Sequence, residues 1–557
     1  MLPRSIVEAS PRPLSPALSV PRIGGARVRW LASVALPFAV YLAVGLVFSL
    51  GAEIITGDSW SRVGNAYYVL FSRDPHLAAI GFVWNPLPSL VELPLLPFAA
   101  LWRPIVDHGV AGNLMSAAFM ALAVRELWLW LRDLGTPRVA RIALLLAFAA
   151  HPLILLYGGN GMSEAPFLFF LLLGGRAFSS WLTTSAVSRL AVAGIALAFA
   201  YLTRYEAIGP IAAIGLLTAI VSFARASGTR RERVVTAAAD ALILGAPPAA
   251  AFLLWALASW IIVGSPFETF TSVYGNSSQV GLTLEGIRAA TGQTFGAALA
   301  YLMKQILGLE PLLPVAVALA VVVAIKRRDL RVLVPLGVFG SVMAFSGLLF
   351  LSGGSFGWLR FSIGAVPLTV VALGIVLSGL PTPRRGAGLV QLRDLAVAGA
   401  VAVALVAVPV GVNTVFDASL AREESPQLHG LIAGDKEVAD QRQQFLVAGD
   451  IAHYLDSQNL QRGSVVVDVA IGFEIVLQSR HPEQFVITPD RDFQQILADP
   501  ATFSARYLLV PSGAGYSALD AVTRAYPALF ANGEGSGSLV QQFGSGVFAW
   551  RLYRVGA

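Results

Sequence analysis

Gly51–Trp102 reads GAEIITGDSWSRVGNAYYVLFSRDPHLAAIGFVWNPLPSLVELPLLPFAALW. It follows Leu31–Leu50, an apolar run long enough to cross a bilayer. It carries Glu53, Asp58, Arg62, Arg73, Asp74, His76 and Glu92 in apolar surroundings. Charges at a membrane surface are costly and are usually paired or functional. The spacing predicts a helix over Ser59–Phe71, lying on the membrane with Trp60, Val63, Tyr67 and Leu70 on one face. Pro86, Pro88, Pro94 and Pro97 interrupt the next apolar run, which argues for a shallow or re-entrant segment rather than a span.

The rest of the chain has the same character. Of 557 residues, 56% are hydrophobic and 13% charged, and the mean hydropathy is +0.69. Apolar runs of ~20 residues recur, the mark of a polytopic helical membrane protein. The chain has no cysteine, which excludes disulfides, thiol catalysis and Cys-type zinc sites. Residues 1–411 hold 29 Lys+Arg against 17 Asp+Glu, and residues 412–557 hold 10 against 16. The basic surplus falls in short inter-helix loops, so the positive-inside rule accounts for it without a nucleic-acid partner. The Pro- and Arg-rich start does not read as a cleavable signal peptide.

Three regions follow from this pattern. Residues 1–29 read as a cytoplasmic disordered tail. Residues 30–411 read as a transmembrane domain of about eleven helices, with a first outer loop at 51–108. Basic clusters at Arg132–Arg141, Arg225–Arg233, Lys326–Arg328 and Arg384–Arg385 then fall inside. Asp58, Glu164, Arg204, Glu206 and Arg360 fall outside. Counting Pro86–Trp102 as a span would reverse this order. Residues 412–557 read as an extracytoplasmic α/β domain. Its β-like runs are Ser464–Asp468, Gln484–Thr488, Tyr507–Val510, Ser538–Phe543 and Val547–Tyr553, interleaved with helical stretches near 436–459, 491–498 and 516–527. It has no Gly-rich phosphate fingerprint and no metal-ligand cluster.

The outer charges form the candidate site. Asp58 and Arg62, four apart, share a helix face and can pair; Asp58 or Ser59 also suits a helix N-cap. Glu164, in GNGMSEAPF, suits a helix N-terminus with Ser163 as cap, and Glu206 suits the next such position. Arg204 and Arg360 suit snorkelling or a phosphate clamp. Arg125–Glu126 reads as a structural pair. Together, carboxylates as general base, arginines on a phosphate and an apolar bundle around a lipid tail fit one chemistry.

These residues resemble a family. Asp58 and Arg62 look like the acidic first-loop motif of GT-C glycosyltransferases, in particular the protein-O-mannosyltransferase and aminoarabinose-transferase group. Trp84-Asn85-Pro86-Leu87-Pro88 is similar to their proline-bearing segment. Pro152 to Glu164 resembles their second outer motif, and Trp358-Leu359-Arg360-Phe361 with Pro367 a late element. Ser59 and Asn85 depart from the pattern. The resemblance implies a bacterial plasma-membrane enzyme that moves a sugar from a polyprenyl-phosphate donor to an extracytoplasmic glycan, lipid or protein. Asp58 and Glu164 would then be catalytic, and Arg62, His76, Trp84, Arg204, Glu206 and Arg360 would bind donor or acceptor. A divalent metal stays open as a cofactor. The rival readings are a transporter or flippase with charges along its path, and an inactive scaffold. No two-half repeat supports the first, and the one-sided grouping of charges opposes it.

Overall fold

The apolar runs are helical. The computed structural model describes residues 23–378, 392–432, 436–533 and 537–555. Seven helical segments among them are long and apolar enough to cross a membrane: Ser33–Gly51, Val110–Leu134, Glu164–Thr184, Tyr205–Arg225, Arg230–Val263, Leu330–Leu351 and Leu359–Ser378. The number rises to nine if two bent pairs each count as one span, Arg138–Ala149 with Pro152–Gly159 and Phe295–Leu309 with Leu313–Arg327. Pro152 and Pro311 stand at the two bends. Proline lacks the N–H of a helical turn and pushes the preceding residue out of the helical region, as the ψ of 131° at His151 and 80° at Glu310 show. Val187–Thr203 and Leu392–Phe416 are helical at the other two positions expected of eleven spans. The former has only 17 residues, which is short for a span. The first described helix starts at Ile23, so it takes in the end of the expected 1–29 tail; residues 1–22 and Arg384–Arg385 lie outside the described residues.

Burial sorts these helices. Arg230–Val263 turns Leu253, Leu254, Trp260 and Ile261 outward, as a helix facing lipid does. Leu359–Ser378 lies at the centre, with 83% of its apolar window buried. Arg360 therefore sits at the head of the most enclosed helix. Pro86–Trp102 forms no single regular helix: a short helix, Leu87–Glu92, passes into 3-10 turns over Leu93–Ala100. Pro94 and Pro97 deny that stretch a regular α-helix.

The C-terminal part carries one five-stranded sheet. Its strands are β1 (Val465–Val467), β2 (Phe485–Ile487), β3 (Tyr507–Pro511), β4 (Gly537–Phe543) and β5 (Trp550–Val555), in the order β2-β1-β3-β5-β4. β1 runs parallel to β2 and β3, and β5 antiparallel to β3 and β4. β1 and β2 are unbroken apolar triplets buried throughout, as parallel strands covered on both faces should be. All five strands lie where the apolar runs predict them. Helix Val469–Gln478 falls where the sequence predicts no element.

The helix Gly57–Phe71 departs from expectation. Three of the four residues of its apolar face are covered by protein, while Leu70 is 37% exposed. Trp60, Val63 and Tyr67 are buried in one cluster with Phe473, Leu477, Phe485 and Trp550 of the C-terminal part. Salt bridges fasten the same contact: Arg73 to Asp490 at 3.0 Å and to Asp492, and Arg491 to Asp74 at 2.8 Å. A second tie comes from the 264–294 loop. Tyr274 donates its hydroxyl to buried Asp468 at 2.8 Å. Asp468 also accepts from Thr488 Oγ1 at 2.6 Å and from the N–H groups of Ala470 and Ala521 at 2.8 and 2.7 Å.

Asp520 stands beside this knot and caps Ala521–Ala525 by accepting from Thr523 N at 2.7 Å. Burial, with the Asp468 charge adding to it, pushes the Asp520 carboxyl from 3.8 up to about 7. A folded value above the ordinary one gives a contribution that is complete below the ordinary value of 3.8 and lost as pH rises through about 7. Asp520→Asn keeps an oxygen for the cap and removes the charge. We expect it to raise Tm more at about pH 8 than at about pH 5, read by thermal unfolding of the purified full chain.

Candidate functional site

Thr56, not Asp58, holds the N-cap position of Gly57–Phe71, and Asp58 lies in the first turn. Freed from capping, the Asp58 carboxylate reaches Arg360, with Nη2 to Oδ2 at 3.1 Å. Arg62, one turn on, does not pair with that carboxylate. Its Nη1 donates to the main-chain oxygen of Asp58 at 3.0 Å, and its guanidinium lies over the Trp84 ring, 5.1 Å from the centroid.

Glu164 opens the helix Glu164–Thr184, and Ser163 makes no side-chain cap bond there. The Glu164 carboxylate pairs with Arg204 and stands 3.7 Å from Arg360 Nε. Arg204 does not snorkel. It also pairs with Glu206 at 2.6 Å. Gly161 makes the approach of these segments possible. Its φ is +78°, where a side chain is strained, and a Cβ there would collide with Ser59 Oγ. The loop before Glu164 is thereby laid directly against the turn that carries Asp58.

Arg360 sits in the 3-10 turn Leu359–Ser362. Its three guanidinium nitrogens face three carboxylates: Nη2 Asp58, Nε Glu164, and Nη1 Glu423 at 2.7 Å. Its own N–H donates to Glu424 Oε1 at 2.9 Å, and Tyr157 donates its hydroxyl to the same oxygen at 2.8 Å. The guanidinium also lies 4.3 Å from the Trp358 ring centroid. Burial pushes the Glu423 carboxyl well above the ordinary glutamate range, against the pull of Arg360 and with the help of Glu424 beside it. Asp58 is the open end of this cluster: its side chain is 30% exposed, against 2% for Glu164 and 4% for Arg360.

An apolar groove of about 370 Å³ opens beside the Arg360 turn. Leu302, Met303, Ile306 and Met343 line it together with Trp358 and Phe361, the neighbours of Arg360. Among the described residues, no group of three or more His, Asp or Glu stands where it could hold a metal ion.

No protein-family model and no curated protein matches this sequence. Solved structures similar to the chain include ArnT from Cupriavidus metallidurans bound to undecaprenyl phosphate. That match has 14% identity over 94% of this chain and 98% of that one, and a TM-score of 0.49. The archaeal oligosaccharyltransferase AglB from Archaeoglobus fulgidus, in complex with an inhibitory peptide and a dolichol-phosphate, matches at 11% identity. It covers 88% of this chain and 70% of that one, with a TM-score of 0.44.

Of the residues singled out in the sequence, Asp58, Glu164, Arg204, Glu206 and Arg360 form one ion-pair network, and Arg62 with Trp84 borders it through the Asp58 main chain. His76 is not part of it. Its Nδ1 is 2.6 Å from the Asp74 main-chain oxygen, in the seam with the C-terminal part. Arg125 pairs with Glu126 at 3.3 Å, and Arg176 joins them at 2.8 Å. Glu423, Glu424 and Tyr157 escaped the sequence reading. The acidic pair directly follows the last apolar helix, where it looks like the start of a solvated acidic region. Only Tyr157, in the helix before Glu164, carried a local hint.

Arg360 is thus a hub rather than a loose clamp. Removing one partner from a buried ion pair leaves uncompensated charge and costs ~3–5 kcal/mol. We expect Arg360→Ala to destabilise the folded chain by about that much, with Arg360→Lys recovering part of it, since lysine keeps the charge without the fork. Thermal unfolding of the two variants in the same detergent checks this.

Proposed function

We propose that this chain is a GT-C-type glycosyltransferase, a hexosyl- or pentosyltransferase that moves a sugar from a polyprenyl-phosphate donor to an extracytoplasmic acceptor. The observation that carries the reading is the junction at Arg360. On one side it holds Asp58, the exposed carboxylate of the cluster, and on the other its neighbours Trp358 and Phe361 line an apolar groove. A lipid tail in the groove would leave its phosphate and sugar at the carboxylate end.

Asp58 then acts as general base. It takes the proton of the acceptor hydroxyl as that oxygen attacks the anomeric carbon, and the bond from that carbon to the phosphate oxygen breaks. The lipid phosphate leaves with the bonding electrons. Arg62 holds that phosphate. Among the described residues it is the guanidinium of the cluster with no carboxylate partner, whereas Arg204 and Arg360 are already neutralised. Glu164 orients Arg204 and Arg360 and is the second candidate for the base.

In this reading the eleven helical segments all span a bacterial plasma membrane. Residues 1–29 stay cytoplasmic, and residues 412–557 form an extracytoplasmic α/β domain. A reporter fused after Ala557 should be extracytoplasmic. A cytoplasmic reporter defeats the topology.

The reaction is tested with purified variants and a polyprenyl-phosphate sugar. Asp58→Asn should keep its fold and lose ~10²–10⁴-fold in transfer rate. Arg62→Ala should raise the donor KM by roughly tenfold, the loss of one charge-assisted contact. Full activity in Asp58→Asn removes Asp58 as base, and the role passes to Glu164 if Glu164→Gln alone is inactive.

A further inference from the structure

A second concave surface lies beside the start of the Gly57–Phe71 helix, between the first loop and the sheet-bearing part. It has two adjacent halves. The nearer, about 180 Å³, is lined by Glu53, Gly57, Trp60, Gln441, Phe445 and Glu474. The farther, about 300 Å³, is lined by Ile471, Tyr516, Ser517, Val547, Phe548 and Trp550. Gln444 and Phe473 line both halves and form the wall they share.

The chemistry of the walls limits the occupant. Neither half is lined by lysine or arginine. Arg442, next to Gln441 in sequence, pairs with Glu53 at 2.9 Å. An anionic ligand has no counter-charge here. Polar reach comes instead from Gln441, Ser517 and the two carboxyls; Gln444 donates from Nε2 to Glu474 at 3.0 Å, and burial pushes the Glu474 carboxyl up to about 8. Such groups donate and accept side by side, as a ring of hydroxyls requires. Between them stand the partly exposed rings of Phe445, Phe548 and Tyr516, the last 43% exposed. Apolar ring faces next to convergent amide and carboxyl groups suit a ligand with alternating C–H and O–H surfaces. Strand addition by an extended peptide is closed at β5, which contributes Trp550 and is paired on both sides.

The position is as informative as the chemistry. Gly57 and Trp60 line the nearer half and flank Asp58 in sequence. We propose that this crevice, from Gly57 to Tyr516, binds a neutral saccharide chain as the acceptor and directs its end toward Asp58. The inference rests on the glycosyltransferase reading and names its acceptor class.

The test uses the full chain in detergent, with a panel of neutral gluco-, manno- and galacto-oligosaccharides, an anionic oligosaccharide and an unstructured peptide as probes. Binding is followed by tryptophan fluorescence, since Trp60 and Trp550 stand in the walls. Gln444→Ala and Tyr516→Ala alter side chains at the crevice and none of the ion-pair cluster. At least one oligosaccharide should bind, and each variant should bind it about tenfold more weakly. Both variants should still release sugar from a polyprenyl-phosphate donor to water at the wild-type rate, while transfer to the oligosaccharide falls through KM. The inference is overturned if no oligosaccharide binds, if the variants bind and transfer as the wild type does, or if a peptide or anionic glycan occupies the crevice instead. Failure of the underlying reading looks different: the wild type then releases no sugar from any polyprenyl-phosphate donor, whatever the crevice binds.

Discussion

One guanidinium holds the centre of this molecule. Arg360 meets Asp58 from the first loop, Glu164 from the start of a central helix, and Glu423 from just beyond the last helix. These segments are far apart in sequence, and each would otherwise bring a carboxylate into a poorly solvated place alone. A buried carboxylate is tolerable when it is paired and hydrogen-bonded. The geometry of arginine suits the task, because its planar fork presents separate nitrogens to separate partners. Lysine offers one compact charge and could not serve three acceptors at these positions. The surrounding devices keep the fork in place: the Trp358 ring against its face, and Glu424 on its own N–H, itself held by Tyr157.

The pairing in the cluster separates its arginines by environment. Arg204 and Arg360 are each bound by two or more carboxylates, so a further anion would have to displace one. Arg62 has only a main-chain oxygen, a weak sulfur contact at 3.9 Å with Met162, and an aromatic face. Its burial without a carboxylate partner is unfavourable by itself. A guanidinium whose N–H groups meet no carboxylate oxygen can give them to an incoming phosphate without displacing a partner.

Much of this was legible in the sequence, and the parts that were not share a cause. Hydropathy located the helices, since an apolar run of sufficient length has few alternatives in lipid. Alternation and short valine-rich runs located all five strands, and the four prolines of 86–97 announced a broken segment. Asp58, Glu164, Arg204 and Arg360 were visible as charges out of place in apolar surroundings. Glu423 and Glu424 were not, because beside a charged, water-facing region an acidic pair carries no local signal; only the fold brings them to Arg360. The Gly57–Phe71 helix shows the same limit. Its amphipathic pattern said that Trp60, Val63 and Tyr67 must be covered, but not by what. The cover is Phe473, Leu477 and Trp550, more than 400 positions away, rather than lipid.

That mistaken partner matters for function. A helix floating on a membrane would present Asp58 to water with no fixed neighbour. Clamped between the bundle and the sheet, the helix instead separates two surfaces of opposite character. Behind Asp58, through Arg360, lies a groove walled by Leu302, Ile306, Met343 and Phe361. Beside Asp58, through Gly57 and Trp60, opens a crevice of carboxyl and amide groups. The proposed transfer between a lipid-borne group and a water-soluble one needs this division, since one medium cannot solvate both substrates well. The salt bridges of Arg73 and Arg491 across the seam keep the two surfaces in register. Their strength is modest where exposed, so the buried aromatic face of the helix, rather than these charges, holds Asp58 at the boundary.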